Sequence, residues 1–176
     1  MNRRQVLGGA ALLGVAGLAG GYWSLPRSAS AGAVALDAAQ RLLDSLVGHE
    51  LVAIEGWAPA AVFNHCAQSI EYSLDGFPQL KAEWFRSSIG PLAFSVFSSR
   101  GAMRHSLQEP IPGAAGLDQP SSQASALERL RGAFARFAAH QGPLQPHFAY
   151  GALSHGEYAQ AHVMHLYEHL SLLRPA

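Results

Sequence analysis

The segment that most constrains this chain is Leu153 to Leu172, L-S-H-G-E-Y-A-Q-A-H-V-M-H-L-Y-E-H-L-S-L. It contains His155, His162, His165 and His169. Ser154-x-x-Glu157 has the form of a capping box, which sets where a helix would begin. At about 100° per residue, Tyr158, His162, His165, His169 and Leu172 fall in one narrow stripe, flanked by Ala161 and Leu166. A stripe with such apolar edges points into a core. Burying neutral imidazoles without partners is costly, because each ring carries one donor and one acceptor. A divalent cation relieves that cost by taking one nitrogen from each ring, while a neighbouring group orients the other. His165 and His169, four apart, stand one turn above the other on a single face, which makes them the natural pair for such an ion.

A third ligand has to come from elsewhere in the chain. Gly56-Trp57-Ala58-Pro59 opens a second helix, since proline is favoured in a first turn where its missing N–H has no partner. That helix runs to about Leu74 and is stopped by Asp75-Gly76-Phe77-Pro78. His65, Gln68, Ser69 and Tyr72 share one of its faces, with Val62, Phe63, Cys66 and Ile70 packing at the sides. His65 is therefore the expected third ligand, and Gln68 and Tyr72 are candidates to orient a substrate beside the ion. His162 shares the stripe and is the alternative ligand. Three ligands from one helix would crowd a tetrahedral ion, so His162 is read instead as a neighbour that moves protons, together with Tyr158. A three-histidine set leaves a coordination position open, as catalytic sites do. Zn²⁺, Ni²⁺ and Fe²⁺ all accept imidazole. The competing explanation is a hydrogen-bonded histidine core with no ion. His105, His147 and His155 are expected in loops or at a rim, and His49 and His140 on the surface. Cys66 reads as packing, and Glu71, Glu157 and Glu168 lie off the site face.

The remaining elements follow from periodicity. Leu36 to Val47 reads as a helix with Leu36, Ala39, Leu42, Leu43 and Leu46 on its stripe, ended by Gly48. Lys81 to Ser98 is apolar and aromatic, and Gly90-Pro91 divides it into two helical pieces. Ser99 to Gln119 has no sustained period and is a long loop, a kind of segment that often carries function. Ser121 to His140 is helical, with Ala126, Leu127, Leu130, Ala133, Phe134 and Phe137 facing inward. Gly142 to Gly151 is a tight connection. Four principal helices and no strand signal predict an all-α four-helix bundle.

Residues 1–33 read as an export leader rather than as part of the fold, leaving 34–176 as one domain. Arg3 and Arg4 precede an uncharged run from Val6 to Tyr22, followed by Pro26, Arg27 and the small-x-small Ala29-Ser30-Ala31. Paired arginines before a weakly hydrophobic run resemble a twin-arginine signal. That resemblance implies the twin-arginine export machinery as a partner and a periplasmic or otherwise exported location, tethered to the membrane where the leader is uncleaved. Without the leader's three arginines the chain holds 9 basic and 12 acidic residues, a net charge of about −3. Nucleic acid, which calls for a basic patch, is not an expected partner. The single cysteine forms no internal disulfide, so packing must hold the fold together even outside the cytosol.

The helix beginning G-W-A-P-A-A-V-F-N-H, the later P-H-F-A-Y-G-A-L-S-x-x-E-Y and the His-rich final helix together resemble the DinB/YfiT-like superfamily. Within it they resemble a branch of exported bacterial proteins carrying a domain of unknown function. The likeness spans roughly residues 34 to 173. It implies a four-helix bundle with a divalent ion held by one histidine of the second helix and two of the last, here His65, His165 and His169. Some members of that superfamily are transferases or isomerases that use a low-molecular-weight thiol on the metal; from the expected site itself, a metal-dependent hydrolase or transferase acting on a small molecule is expected here. An exported chain has less access to the cytosolic thiols used by some members. The alternatives are a non-catalytic metal-binding protein and a purely structural bundle. A homodimer is compatible with each.

Overall fold

The computed structural model describes residues 35–117 and 121–176. The expected leader, with Arg3 and Arg4, lies outside the described residues. The fold is mostly helical. Helix α1 spans Leu36–Ser45, α2 Pro59–Asp75, α3 Glu83–Arg86, α4 Ile89–Arg100, α5 Gln123–Ala139 and α6 His155–Leu170. Among the described residues no helix is long and apolar enough to cross a membrane.

Helices α2 and α5 make the most extensive helix pair. Phe63, Ala67 and Ile70 of α2 and Leu127, Leu130, Phe134 and Phe137 of α5 are buried in one core, which Leu43 of α1 and Tyr158, Val163 and Leu166 of α6 complete. The outer edge of the pair is laced by charge. Arg129 grips both carboxylate oxygens of Glu71 at 3.0 and 2.7 Å, and Arg136 does the same to Asp75 at 2.7 and 2.5 Å. A smaller cluster, with Phe94, Met103, Ala161 and Met164, joins α4 to the other side of α6.

Three details differ from the sequence expectation. First, two short strands exist. β1 (Leu51–Ala53) pairs antiparallel with β2 (Leu173–Pro175), in the register Leu51 to Pro175, Val52 to Arg174 and Ala53 to Leu173. Each is three residues long, too short to show alternation, and Pro175 sits at a strand end where a missing N–H is tolerated. The pairing anchors the end of α6 to the segment that enters α2. Second, α1 stops at Ser45 and α6 at Leu170, both short of the predicted ends. Third, the apolar middle breaks at Ser87-Ser88 rather than at Gly90-Pro91. Pro91 instead lies in the first turn of α4, where its missing N–H has no helical partner to lose. Gly90 is required there for a different reason. A Cβ on it would sit 1.9 Å from the Ala149 carbonyl oxygen, so the 147–151 loop presses directly on the α4 start.

The capping box forms as expected. Ser154 Oγ accepts from the Glu157 N–H at 3.3 Å, and Glu157 Oε2 accepts from the Ser154 N–H at 2.8 Å. This fixes the start, and hence the rotational register, of the helix that carries the histidine stripe.

Candidate metal centre

His65 comes from the middle of α2, and His165 and His169 from the last two turns of α6. They are 3%, 8% and 1% exposed, so water cannot solvate their rings. Ring centroids are 4.9 Å apart for His65 and His165, 4.7 Å for His65 and His169, and 4.7 Å for His165 and His169. One nitrogen from each residue lies within 4.8 Å of the other two. His65 Nε2 and His165 Nε2 stand 3.1 Å apart. Two imidazole ligands of a tetrahedral ion, with metal–nitrogen bonds of about 2.0–2.1 Å, would stand about 3.3 Å apart. The observed edge is already close to that.

The hydrogen-bond inventory is incomplete here. His65 Nδ1 and His169 Nε2 are buried and have no hydrogen-bond partner among the described residues. Between two neutral rings the 3.1 Å contact accommodates one proton, so one Nε2 donates and the other accepts. All three rings are held in the neutral form. Burial is the larger cause, and the neighbouring imidazoles add to it. The pKa falls to about 4 for His65 and about 2 for His169, and well below the ordinary value for His165. Neutral imidazoles offer lone pairs near pH 7 without competition from protons. The residues therefore fit a cation: three converging, unprotonated imidazoles, with His169 Nε2 lacking a partner among the described residues.

The surroundings complete the chamber. Trp57, just ahead of α2, stacks parallel to His169 at 6.1 Å and tilts against His65 at 5.0 Å. His105, in the loop after α4, lies 5.0 Å from His165 and 5.1 Å from His169. A cavity of about 220 Å³ opens beside the triad, with His65, His105 and His165 in its wall. A match to the family described as Protein of unknown function (DUF1569) covers residues 29–176. The chain belongs to the DUF1569 family. No curated protein and no solved structure matches it.

The other residues singled out from the sequence of this DUF1569 chain fall in several places. His162 is buried one turn before His165, with its Nε2 3.2 Å from Ser73 Oγ. Ser73 already donates its hydroxyl proton to the Ile70 carbonyl at 2.6 Å, so His162 is the donor and its Nε2–H is committed. Tyr158 stacks on His162 and donates to the Gln145 carbonyl at 2.7 Å. Gln68 donates to the Ala115 carbonyl at 3.0 Å, pinning the loop that carries His105 over α2. Tyr72 packs on Phe77. Cys66 is buried and unpaired, and burial pushes its thiol pKa up, in keeping with packing. His147 is in a loop, as expected, and is buried there, 7% exposed and packed among Phe77, Phe148 and Tyr150. Trp57 was visible only as a helix-start residue, and nothing in its spacing reported that it would wall the triad. His105 lies in a segment with no period, so its approach to α6 left no sequence signal.

Proposed function

We propose that the protein is an exported metal-binding protein in which His65, His165 and His169 hold one divalent ion beside the cavity, in a DinB/YfiT-like four-helix bundle. We read it as a metal-dependent hydrolase or transferase acting on a small molecule. The observation that carries this reading is the buried convergence of one nitrogen from each of His65, His165 and His169, all within 4.8 Å of one another, with His169 Nε2 lacking a hydrogen-bond partner among the described residues. A divalent ion at three imidazoles polarises an oxygen or lowers the pKa of bound water towards neutrality. Trp57 keeps the triad dry on one side, and the cavity admits a ligand on the other. The paired Arg3 and Arg4 support twin-arginine export to the periplasm, a route that carries folded, loaded proteins.

His105 favours a second reading. Its ring is about as far from His165 and His169 as those two are from each other. A fourth imidazole in the coordination shell would saturate the ion and make the protein a metal-binding module without turnover. Elemental analysis of protein exported by its own host tests the main reading. Near-stoichiometric Zn, Ni or Fe that is absent from a His165→Ala, His169→Ala double variant supports it. Substoichiometric metal that reconstitution does not raise sinks it. Azide perturbing the spectrum of cobalt-substituted protein supports an open position, and an unperturbed spectrum supports the saturated module.

A further inference from the structure

His147 lines the same cavity as His65 and His165, in the loop between α5 and α6. Its Nδ1 receives two backbone N–H groups, from Ala149 and Tyr150, both at 3.1 Å. Two donors aimed at one nitrogen require a lone pair there. The ring is therefore the tautomer with its proton on Nε2. A second proton on Nδ1 would oppose both N–H groups; burial, with His162 nearby, holds the pKa near 3.

The ring is also fixed in place. Tyr150 stacks on it at 4.2 Å and 7°, and Phe77 meets its edge at 5.1 Å. The loop closes on itself through the His147 N–H to the Gly151 carbonyl at 2.8 Å and the return bond at 3.2 Å. It is tied outward by the Lys81 N–H to the Phe148 carbonyl at 2.9 Å and the Gln145 N–H to the Ser73 carbonyl at 2.9 Å. Gly151 has φ +78°, and a Cβ on it would lie 2.5 Å from the Arg86 carbonyl oxygen, so the loop has no room to shift on that side.

We propose that His147 presents a fixed Nε2–H to the cavity and there holds the acceptor oxygen of a neutral, carbonyl-bearing small molecule lodged beside the histidine triad. A pre-oriented, uncharged donor binds an uncharged acceptor with little ordering cost. The rest of the wall agrees with a neutral ligand. Met103, Ile111 and Ala161 are apolar, and the lining's Lys81 and Glu109 are of opposite sign. The proposal concerns His147 and the cavity alone and stands whether or not the triad holds an ion.

The test is imidazole-nitrogen NMR on the mature protein labelled in its histidines, zinc-treated and metal-free. The probes are benzamide, which carries a carbonyl, and benzylamine, which carries no acceptor oxygen. The expected result is an Nε2–H tautomer for His147 in both forms, with its signal moved by benzamide and not by benzylamine. His147→Asn keeps an acceptor for the loop N–H groups, and its shorter amide leaves no N–H at the Nε2 position. It is expected to weaken benzamide binding about tenfold with the near-ultraviolet circular dichroism unchanged. A proton on Nδ1, or a His147 signal that benzamide leaves in place, overturns the proposal without touching the metal reading. Zinc uptake is read separately from the signals of His65, His165 and His169.

Discussion

The two ends of α6 bury histidines in opposite ways. Towards its start, His155 donates to the Phe137 carbonyl at 3.1 Å and His162 to Ser73, while nearby His147 accepts from two backbone N–H groups. The buried His147 and His162 rings each have a protein partner suited to the neutral form, and His155 is exposed. Towards the other end, His165 and His169 meet the rings of His65, His105 and Trp57, and two buried ring nitrogens, His65 Nδ1 and His169 Nε2, are left without a hydrogen-bond partner among the described residues. His162 shares its residue type, its helix and its burial with His165 and His169, so burial alone does not mark a ligand. What separates the two ends is whether the protein supplies its own hydrogen-bond partners. The starting end has partners within the protein, whereas the triad brings together nitrogens that could hold a cation.

The strongest way to break this comparison is to remove ligands from each end in turn. The His165→Ala, His169→Ala double variant is expected to lose its bound metal and the thermal stabilisation that zinc confers. That stabilisation is about 4 kcal/mol when free zinc is a thousand times its dissociation constant. A calorimetric scan with and without zinc measures it. His162→Ala, at the other end, is expected to keep its metal but lose about 2–4 kcal/mol in urea unfolding, because it leaves a void and strips Ser73 of a donor.

Acid sharpens the contrast. His147 and His162 have folded-state pKa values near 3, lowered chiefly by burial. In the unfolded chain each takes up a proton near 6.5. The unfolded state therefore binds more protons, and the stability these residues provide is complete above about pH 6.5 and falls as pH drops through the window down to about 3. Each is expected to cost about 2 kcal/mol between pH 7 and pH 5 in metal-free protein, followed by urea unfolding. His147→Asn and His162→Ala should each flatten that slope, and unchanged slopes would refute the assignment of neutral buried rings. The smallest effect is expected for Ser154→Ala. It should lose about 1 kcal/mol with metal binding intact, since the cap sets the starting end of α6 and not the triad.

Much of this was legible in the residues themselves. The 3.6-residue period located the long helices, Ser154 and Glu157 marked the start of α6, and the His165/His169 spacing with His65 in α2 named the triad before any coordinates. These are local signals, set by neighbours three and four positions away. What was hidden is non-local. Val52 pairs with Arg174 across nearly the whole domain. His147 is buried because Gly90 and Gly151 let two stretches of backbone touch, which periodicity does not report. His105 reaches the triad from a loop that Ile111 and Gln68 pull onto the core.

The central claim is that one ring nitrogen from each of His65, His165 and His169 shares a single ion. Anomalous diffraction from zinc-soaked crystals, collected at the zinc edge, tests it most directly. The account predicts one strong peak about 2.0–2.1 Å from a nitrogen of each of His65, His165 and His169. No peak there, or a peak at His147 and His162 instead, would contradict it.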